Sequence, residues 1–338
     1  QRTFEATMEM NLSFGVPNVG NFRINMFRQR ASISIVVRYI LGNIPPLESL
    51  MLPSTLAELI MEKRGLILIV GSTGSGKSTT IASMLDHRNA NRSGHILTIE
   101  DPIEFLFRHK KSIVNQRELG MDTLGWEPAL KNAMRQAPDC ILIGEIRDKE
   151  TMQAAIAYAQ TGHLCLATLH ANNSYHALNR VINFFPLDSR TSLYLDLSAS
   201  LKAIVSQRLV LKPDGKRTPA AEVLLNTRHV QELIERGEVL AVKEAMEQSL
   251  APGSQTFEQD LFRLYREGII TLDEALANAD SPTNLSWLIN NSEIPSSSYK
   301  DQQSSEAPLD FSETSDGGTS FKEFTLSLND AEDKPDAQ

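Results

Sequence analysis

The chain has 338 residues, 41% hydrophobic, enough to bury one large core or two modest ones and pointing to about two domains. Its net charge of −9 sits in the tail, where eleven Asp and Glu face three Lys from Asn291 onward, so the body lacks both an acidic surface and the basic footprint of a nucleic-acid binder. No apolar run approaches the roughly 18 residues of a membrane helix, which predicts no direct membrane insertion.

The start at Gln1 shows no charged, apolar and small-residue leader and reads as trimmed rather than as an export signal; a cytoplasmic protein is expected. Cys140 and Cys165 lie inside apolar runs and read as small buried hydrophobes.

Residues 1 to 40 alternate like strands. Met8, Met10, Leu12 and Phe14 share one face, and Phe22, Ile24 and Met26, then Ile33, Ile35 and Val37, repeat it. Turns are expected at Gly15, Pro17, Asn18 and Gly20 and at Arg28 to Ala31, giving an antiparallel meander. Gly42 to Pro46 breaks the pattern as a linker, and Thr55-x-x-Glu58 resembles a capping box.

Beyond it, apolar strands alternate with amphipathic helices. Strands are predicted near Ile67 to Val70, Ile96 to Ile99, Cys140 to Ile143 and Leu164 to Leu169. Helices are predicted near Ser78 to Arg88, Glu127 to Gln136, Thr151 to Gln160, Ser174 to Asn183 and Ser189 to Gln207, with Ile103 to Phe107 and Ser112 to Asn115 as an edge hairpin. The pattern implies an α/β domain on a largely parallel sheet. After residue 226 the periodicity is helical to about residue 290, and beyond Asn291 composition predicts disorder. There Phe321, Phe324, Leu326 and Leu328 read either as a docking segment or as scattered apolar residues.

Gly71-Ser72-Thr73-Gly74-Ser75-Gly76-Lys77-Ser78-Thr79 directly follows a strand-like run and meets every requirement of a phosphate-binding P-loop. Its glycines turn backbone N–H groups toward phosphate, Lys77 reaches the β and γ oxygens, and the Ser78 hydroxyl is placed to ligate Mg²⁺. ATP and Mg²⁺ are the expected cofactors. Hydrolysis also needs a carboxylate to ready water. Ile141 to Glu145 is an apolar strand ending in an acid, as in a Walker B segment, which makes Glu145 the candidate general base. Gly144 stands where many such ATPases carry a metal-holding Asp. Glu100 and Glu104, just after another strand, are candidates to position metal or water; His163 and His170 flank one strand and are candidates to sense the γ-phosphate or to link neighbouring elements.

In order and spacing, the P-loop, the acidic box Thr98 to Glu104, the segment Pro138 to Asp148 and the histidine box Gly162 to Asn172 resemble the GspE/PilT class of secretion ATPases. Within it the chain is most similar to the type IV pilus retraction ATPases of the PilT/PilU family, over residues 1 to about 290. That resemblance implies a partial PAS-like α+β N-terminal domain (1–43), joined through the linker (44–53) to a RecA-like P-loop ATPase domain (54–226) and a C-terminal helical subdomain (227–290); the disordered acidic tail (291–338), read from composition, lies outside it. It implies a ring hexamer at the cytoplasmic face of the inner membrane, with a PilT-like ATPase and an inner-membrane pilus platform protein as partners. It further implies that Arg23 and Arg38 approach the phosphates. PilT proteins carry a helix reading AIRNLIRE where this chain reads Arg228 to Glu235; the apolar framework Val230, Leu233 and Ile234 survives while the polar surface differs, which favours the PilU branch. The expected function is an ATP-hydrolysing motor assisting pilus retraction and twitching motility. The alternatives are a nucleotide-binding accessory subunit without motor output and an extension ATPase, whose usual cysteine-based zinc insertion two separated cysteines cannot build.

Overall fold

The computed structural model describes residues 2–16, 20–40 and 43–291. Helix α1 (Arg2–Thr7) precedes β1 (Glu9–Val16), β2 (Gly20–Gln29) and β3 (Ser32–Ile40), an antiparallel sheet in that order. The alternation places Leu12, Ile24 and Val37 in line across the strands, and Phe14, Phe22 and Tyr39 beside them, with ring centroids 5.6 and 5.4 Å apart. Arg30 and Ala31 both take left-handed φ, which closes β2 and β3 in a two-residue turn. The expectation of strands from the first residue fails at the start: Arg2–Thr7 is helical, and Met8, at φ 62°, redirects the chain into β1. Pro17, Asn18, Gly42 and the tail from residue 292, with Phe321, Phe324, Leu326 and Leu328, lie outside the described residues.

The second sheet is assembled from α2 (Thr55–Ile60), β4 (Gly65–Val70), α3 (Lys77–Asn91), β5 (Gly94–Glu100), β6 (Ser112–Glu118), α4 (Trp126–Ala133), β7 (Cys140–Ile143), α5 (Lys149–Gln160), β8 (Leu164–Leu169), α6 (Ser174–Asn183), α7 (Arg190–Ser200), β9 (Leu201–Leu211) and β10 (Arg217–Leu225). Its order is β10-β9-β4-β8-β7-β5-β6, parallel throughout except where β10 returns against β9. Helices cover both faces, so every residue of β4, β7 and β8 is buried, the reason these strands read as unbroken apolar runs. Leu66, Leu68 and Val70 face one core with α4 to α7, while Ile67 and Ile69 face the other with α2 and α3. Cys140 and Cys165 are free and fully buried within these cores.

Beyond the sheet, α8 (Arg228–Glu235) and α9 (Val242–Glu247) send Val230, Leu233, Ile234 and Val242 into the first core. Helices α10 (Phe257–Arg266), α11 (Leu272–Asn278) and α12 (Pro282–Asn291) instead close a separate apolar cluster around Phe257, Leu261 and Leu285, against Val210 and Ala220 of β9 and β10.

Three sequence expectations are corrected. The helix predicted over Ser189 to Gln207 ends at Ser200, and Leu201–Leu211 is a parallel neighbour of β4; Leu193, Leu197, Leu201 and Ile204 carry helical spacing across a boundary that periodicity does not mark. The edge hairpin is absent: Ser112–Glu118 is a parallel edge strand, and the segment from Ile103 to Phe107 is a loop stapled to it. Gln116 donates to the Phe105 carbonyl (2.8 Å) and accepts from the Phe107 amide (2.9 Å), while Glu118 accepts from the Ile103 amide (3.1 Å). Thr55 is the first helical residue of α2 rather than its cap; Ser54 holds the cap position without a side-chain bond.

Helix α3 is fastened to the segment before the core. Ser83 donates to the Pro45 carbonyl (2.7 Å), the buried Arg88 to Ile60 and Glu62 (2.6 and 2.9 Å), and Arg92 to Met61 (2.8 Å). Residues 45 to 62 are thereby bound to the helix that opens at Lys77.

Candidate active site

Parallel strands bring their carboxyl ends to one rim, and there β4, β5, β7 and β8 release the residues singled out by their motifs. A cavity of about 260 Å³ opens between them, lined by Thr73, Gly74, Lys77 and Ser78 from the phosphate loop, Glu100, Asp101 and Glu104 from the acidic loop, Gly144 and Glu145, and Thr168 and His170.

The loop between β4 and α3 owes its shape to glycine. Gly74 and Gly76 take φ of 79° and 91°, which L side chains adopt only with strain, and Gly76 opens α3 as its N-cap. Lys77, the first residue of α3, is nearly buried and donates to the Gly71 (2.9 Å) and Ser72 (2.8 Å) carbonyls. Burial pulls its ammonium below the ordinary lysine range, opposed by the Glu145 and Glu104 carboxylates across the cavity. Ser72, Ser75 and Thr79 complete the loop without lining the cavity.

Opposite stands Glu145, just past β7. Its Oε2 accepts from Arg147 Nε at 2.8 Å and its Oε1 lies 3.5 Å from His170 Nε2; Arg147 also reaches Asp101 at 3.6 Å. The arginine thus ties the acidic loop to the end of β7, a contact not anticipated from sequence. Gly144 is needed for proximity. A Cβ there would stand 3.0 Å from the Glu100 Cα and 3.1 Å from the Ile99 carbonyl, so an Asp would enter only if the backbone at the end of β5 gave way by a few tenths of an ångström. The Gly144 amide donates to Ile99 (2.8 Å) and its carbonyl accepts from the Thr168 hydroxyl, locking three strand ends together. Asp148, in the same motif, is the N-cap of α5 in a reciprocal capping box with Thr151.

Glu100 is the most perturbed acid on the rim. Desolvation pushes its carboxyl up to about 7, only partly offset by bonds from Thr98 (2.6 Å) and Gln116 (3.4 Å) and by the Glu104 backbone. An unfolded chain releases this proton near pH 4.5, so between about pH 4.5 and 7 the folded state holds the extra proton. The stability linked to it is complete below that window and is lost as pH rises through it. Glu100→Gln, neutral at every pH, should therefore gain on the parent chain by on the order of 1–3 kcal/mol between pH 4.5 and 8 in denaturant melts; a pH-independent difference would show that Glu100 ionises freely.

His163 lies at the opposite, amino end of β8, about 20 Å along the strand from the rim, with Nδ1 near the Tyr158 carbonyl (3.2 Å) and the Thr161 hydroxyl (3.1 Å). Arg23 and Arg38 face one another in register on β2 and β3, on the side away from Phe22 and Tyr39; neither lines the cavity. The structure gathers Lys77, Ser78, Glu100, Glu104, Glu145 and His170, and leaves His163, Arg23 and Arg38 outside. Beside Lys77 and His170, the cavity presents the Ser78 hydroxyl and the Glu100 and Glu104 carboxylates, oxygen donors that suit a hard divalent ion such as Mg²⁺.

A phosphate loop leading from a central parallel strand into a helix, faced by an acid at the end of a neighbouring strand, defines a RecA-like P-loop ATPase. Residues 21–216 match the Type II/IV secretion system protein family. The chain is 51% identical over 290 residues to the type IV pilus ATPase PilU of Pseudomonas aeruginosa, covering 86% of this chain and 76% of that one. It is 40% identical over 284 residues to the pilus retraction ATPase PilT of the same organism, covering 84% and 83%. A crystal structure of the pilus retraction motor PilT with bound ADP superposes with a TM-score of 0.79 at 43% identity, covering 84% of this chain and 81% of that one. The chain belongs to the Type II/IV secretion system protein family and, within it, to the PilT/PilU ATPases.

Proposed function

We propose that this chain is a PilU-like motor that hydrolyses ATP as a ring hexamer and assists type IV pilus retraction and twitching motility. The observation that carries the reading is the convergence of Lys77, Ser78, Glu104 and Glu145 on one cavity at the carboxyl rim of the sheet. Backbone N–H groups of residues 71–79 and the Lys77 ammonium hold the phosphates, the ammonium leaving its carbonyl partners to do so. Glu145 accepts the proton of the attacking water. For this it exchanges the Arg147 bond for one to water, while His170 on the other side reports the γ-phosphate. Ser78, with Glu100 or Glu104 in support, would hold Mg²⁺, which would supply charge neutralisation for the phosphates.

Arg23 and Arg38 complete the site from a subunit boundary, where guanidinium groups stabilise charge on the phosphoryl group in transfer. Because residues 45 to 62 are bonded to α3, a rotation of the N-terminal sheet turns on the chain ahead of Pro45, and events at Lys77 reach this point through those bonds. The chain works at the cytoplasmic face of the inner membrane, against a pilus platform protein and beside a PilT-like ATPase. Among the described residues no helix is long and apolar enough to cross a membrane. On α8 the exposed Arg228 pairs with Glu232 (2.9 Å), a surface for a partner other than the one PilT meets.

The test is solution mass and ATP turnover of the full chain, alone and with a PilT-like ATPase. A sixfold mass with turnover is expected. Nucleotide binding without turnover, even with PilT and platform protein present, would instead favour an accessory subunit.

A further inference from the structure

Gln207 lies on β9, one residue beyond Ser206, which pairs with Val70 at the end of β4, and it is almost completely buried. Its backbone and side chain crowd the phosphate loop at two points and bond helix α3 at a third. Its carbonyl oxygen stands 2.6 Å from where a Cβ on Gly71 would lie, and its Nε2 stands 2.7 Å from where a Cβ on Gly76 would lie. Its Oε1 accepts from the Thr80 hydroxyl at 2.7 Å, in the first turn of α3. The first and last glycines of the loop are thus pressed against one side chain and its backbone, which also holds the helix that the loop enters.

The residues on either side of Gln207 make it a rigid anchor. Ser206 donates to Glu222 Oε1 (3.1 Å), which also accepts from the Ser174 amide (2.7 Å). Arg208 pairs with Asp280, donates to the Asn172 carbonyl (3.2 Å) and stacks 4.0 Å over the Phe257 ring. Both flanks of the strand end are bound to other elements, so Gln207 presents a fixed surface to the loop.

We propose that Gln207 is a positioning residue for the phosphate loop: it touches no reacting atom, and it holds the loop and the first turn of α3 in the conformation that accepts a di- or triphosphate. The inference rests on reading residues 71–79 as the nucleotide grip. A loop that must be ordered at the moment of binding loses affinity for every ligand it holds, and loses it equally for ATP and ADP. The role therefore shows in binding rather than in the chemical step.

Gln207→Ala and Thr80→Val, singly and together, test it in the full chain by ADP titration and by KM and kcat for ATP, with thermal melts confirming folding. Each single change should weaken ADP binding and raise KM by a common factor of about tenfold, the worth of one buried hydrogen bond, with kcat moving less than about threefold. Because the two residues form one contact, the double variant should be no worse than the poorer single one. Thr80→Ser, which keeps the hydroxyl, should return to within about twofold of the parent. Unchanged ADP affinity in a folded Gln207→Ala chain, additive losses in the double variant, or a fall in kcat alone would each overturn the proposal. Lys77→Ala separates this failure from that of the underlying reading: if that variant binds ADP normally, residues 71–79 are not the grip and both fall.

Discussion

Lys77→Ala should lose nucleotide binding by at least about 100-fold while the chain still folds. The side chain is nearly buried and its ammonium is the cation of the phosphate loop that lines the cavity. Truncating one partner of a buried charge-assisted contact costs about 2–5 kcal/mol, and among the residues lining the cavity Lys77 is the lysine or arginine that can meet the phosphates. Lys77→Arg should rescue poorly, because a planar guanidinium cannot occupy the small space in which the lysine bonds the Gly71 and Ser72 carbonyls. Titration with a fluorescent nucleotide reads the loss. Affinity within about threefold of the parent would move the phosphate site elsewhere.

Glu145→Gln should separate binding from hydrolysis. The amide has the shape of the carboxylate and still offers an oxygen to Arg147, so the end of β7 and the cavity keep their form. What is lost is basicity. A positioned base contributes about 10²–10⁴-fold to a proton-transfer step, so turnover should fall by that order while the ATP dissociation constant stays within a few-fold. Wild-type turnover would remove Glu145 from the chemistry and turn attention to Glu104, the next acid on the same wall.

Most of the core and the centre of the site were legible in the sequence because each rests on local rules. Gly71 to Thr79 dictates its own turn, and β4, β7 and β8 are apolar throughout because both their faces are covered. The parts that could not be read depend on contacts between distant segments. Leu201–Leu211 continues the spacing of the helix before it, and only pairing with β4 makes it a strand; with that strand unseen, Gln207 carried no signal. Arg147 is two residues from Glu145, yet its bridge to Asp101 exists only because β5 and β7 are neighbours. Gly144 reads in sequence as a missing metal ligand; in the fold it is where the end of β7 passes close against the Glu100 backbone, an approach that a side chain would crowd. His163 and His170 bracket one strand and so look equivalent, but a parallel sheet sends its two ends to opposite edges, and only His170 reaches the rim. Arg23 and Arg38 pair as the alternation requires, while their approach to phosphate depends on assembly.

The central claim is that the phosphate loop and Glu145 act on the same γ-phosphate. The direct measurement is a structure of the full chain with Mg²⁺ and a non-hydrolysable ATP analogue. It should show Lys77 moved from the Gly71 and Ser72 carbonyls to the phosphates, and a Glu145 oxygen, free of Arg147, about 2.6–3.2 Å from a water in line with the γ-phosphate. Glu145 still bonded to Arg147 and turned from the γ-phosphate in every subunit would contradict it.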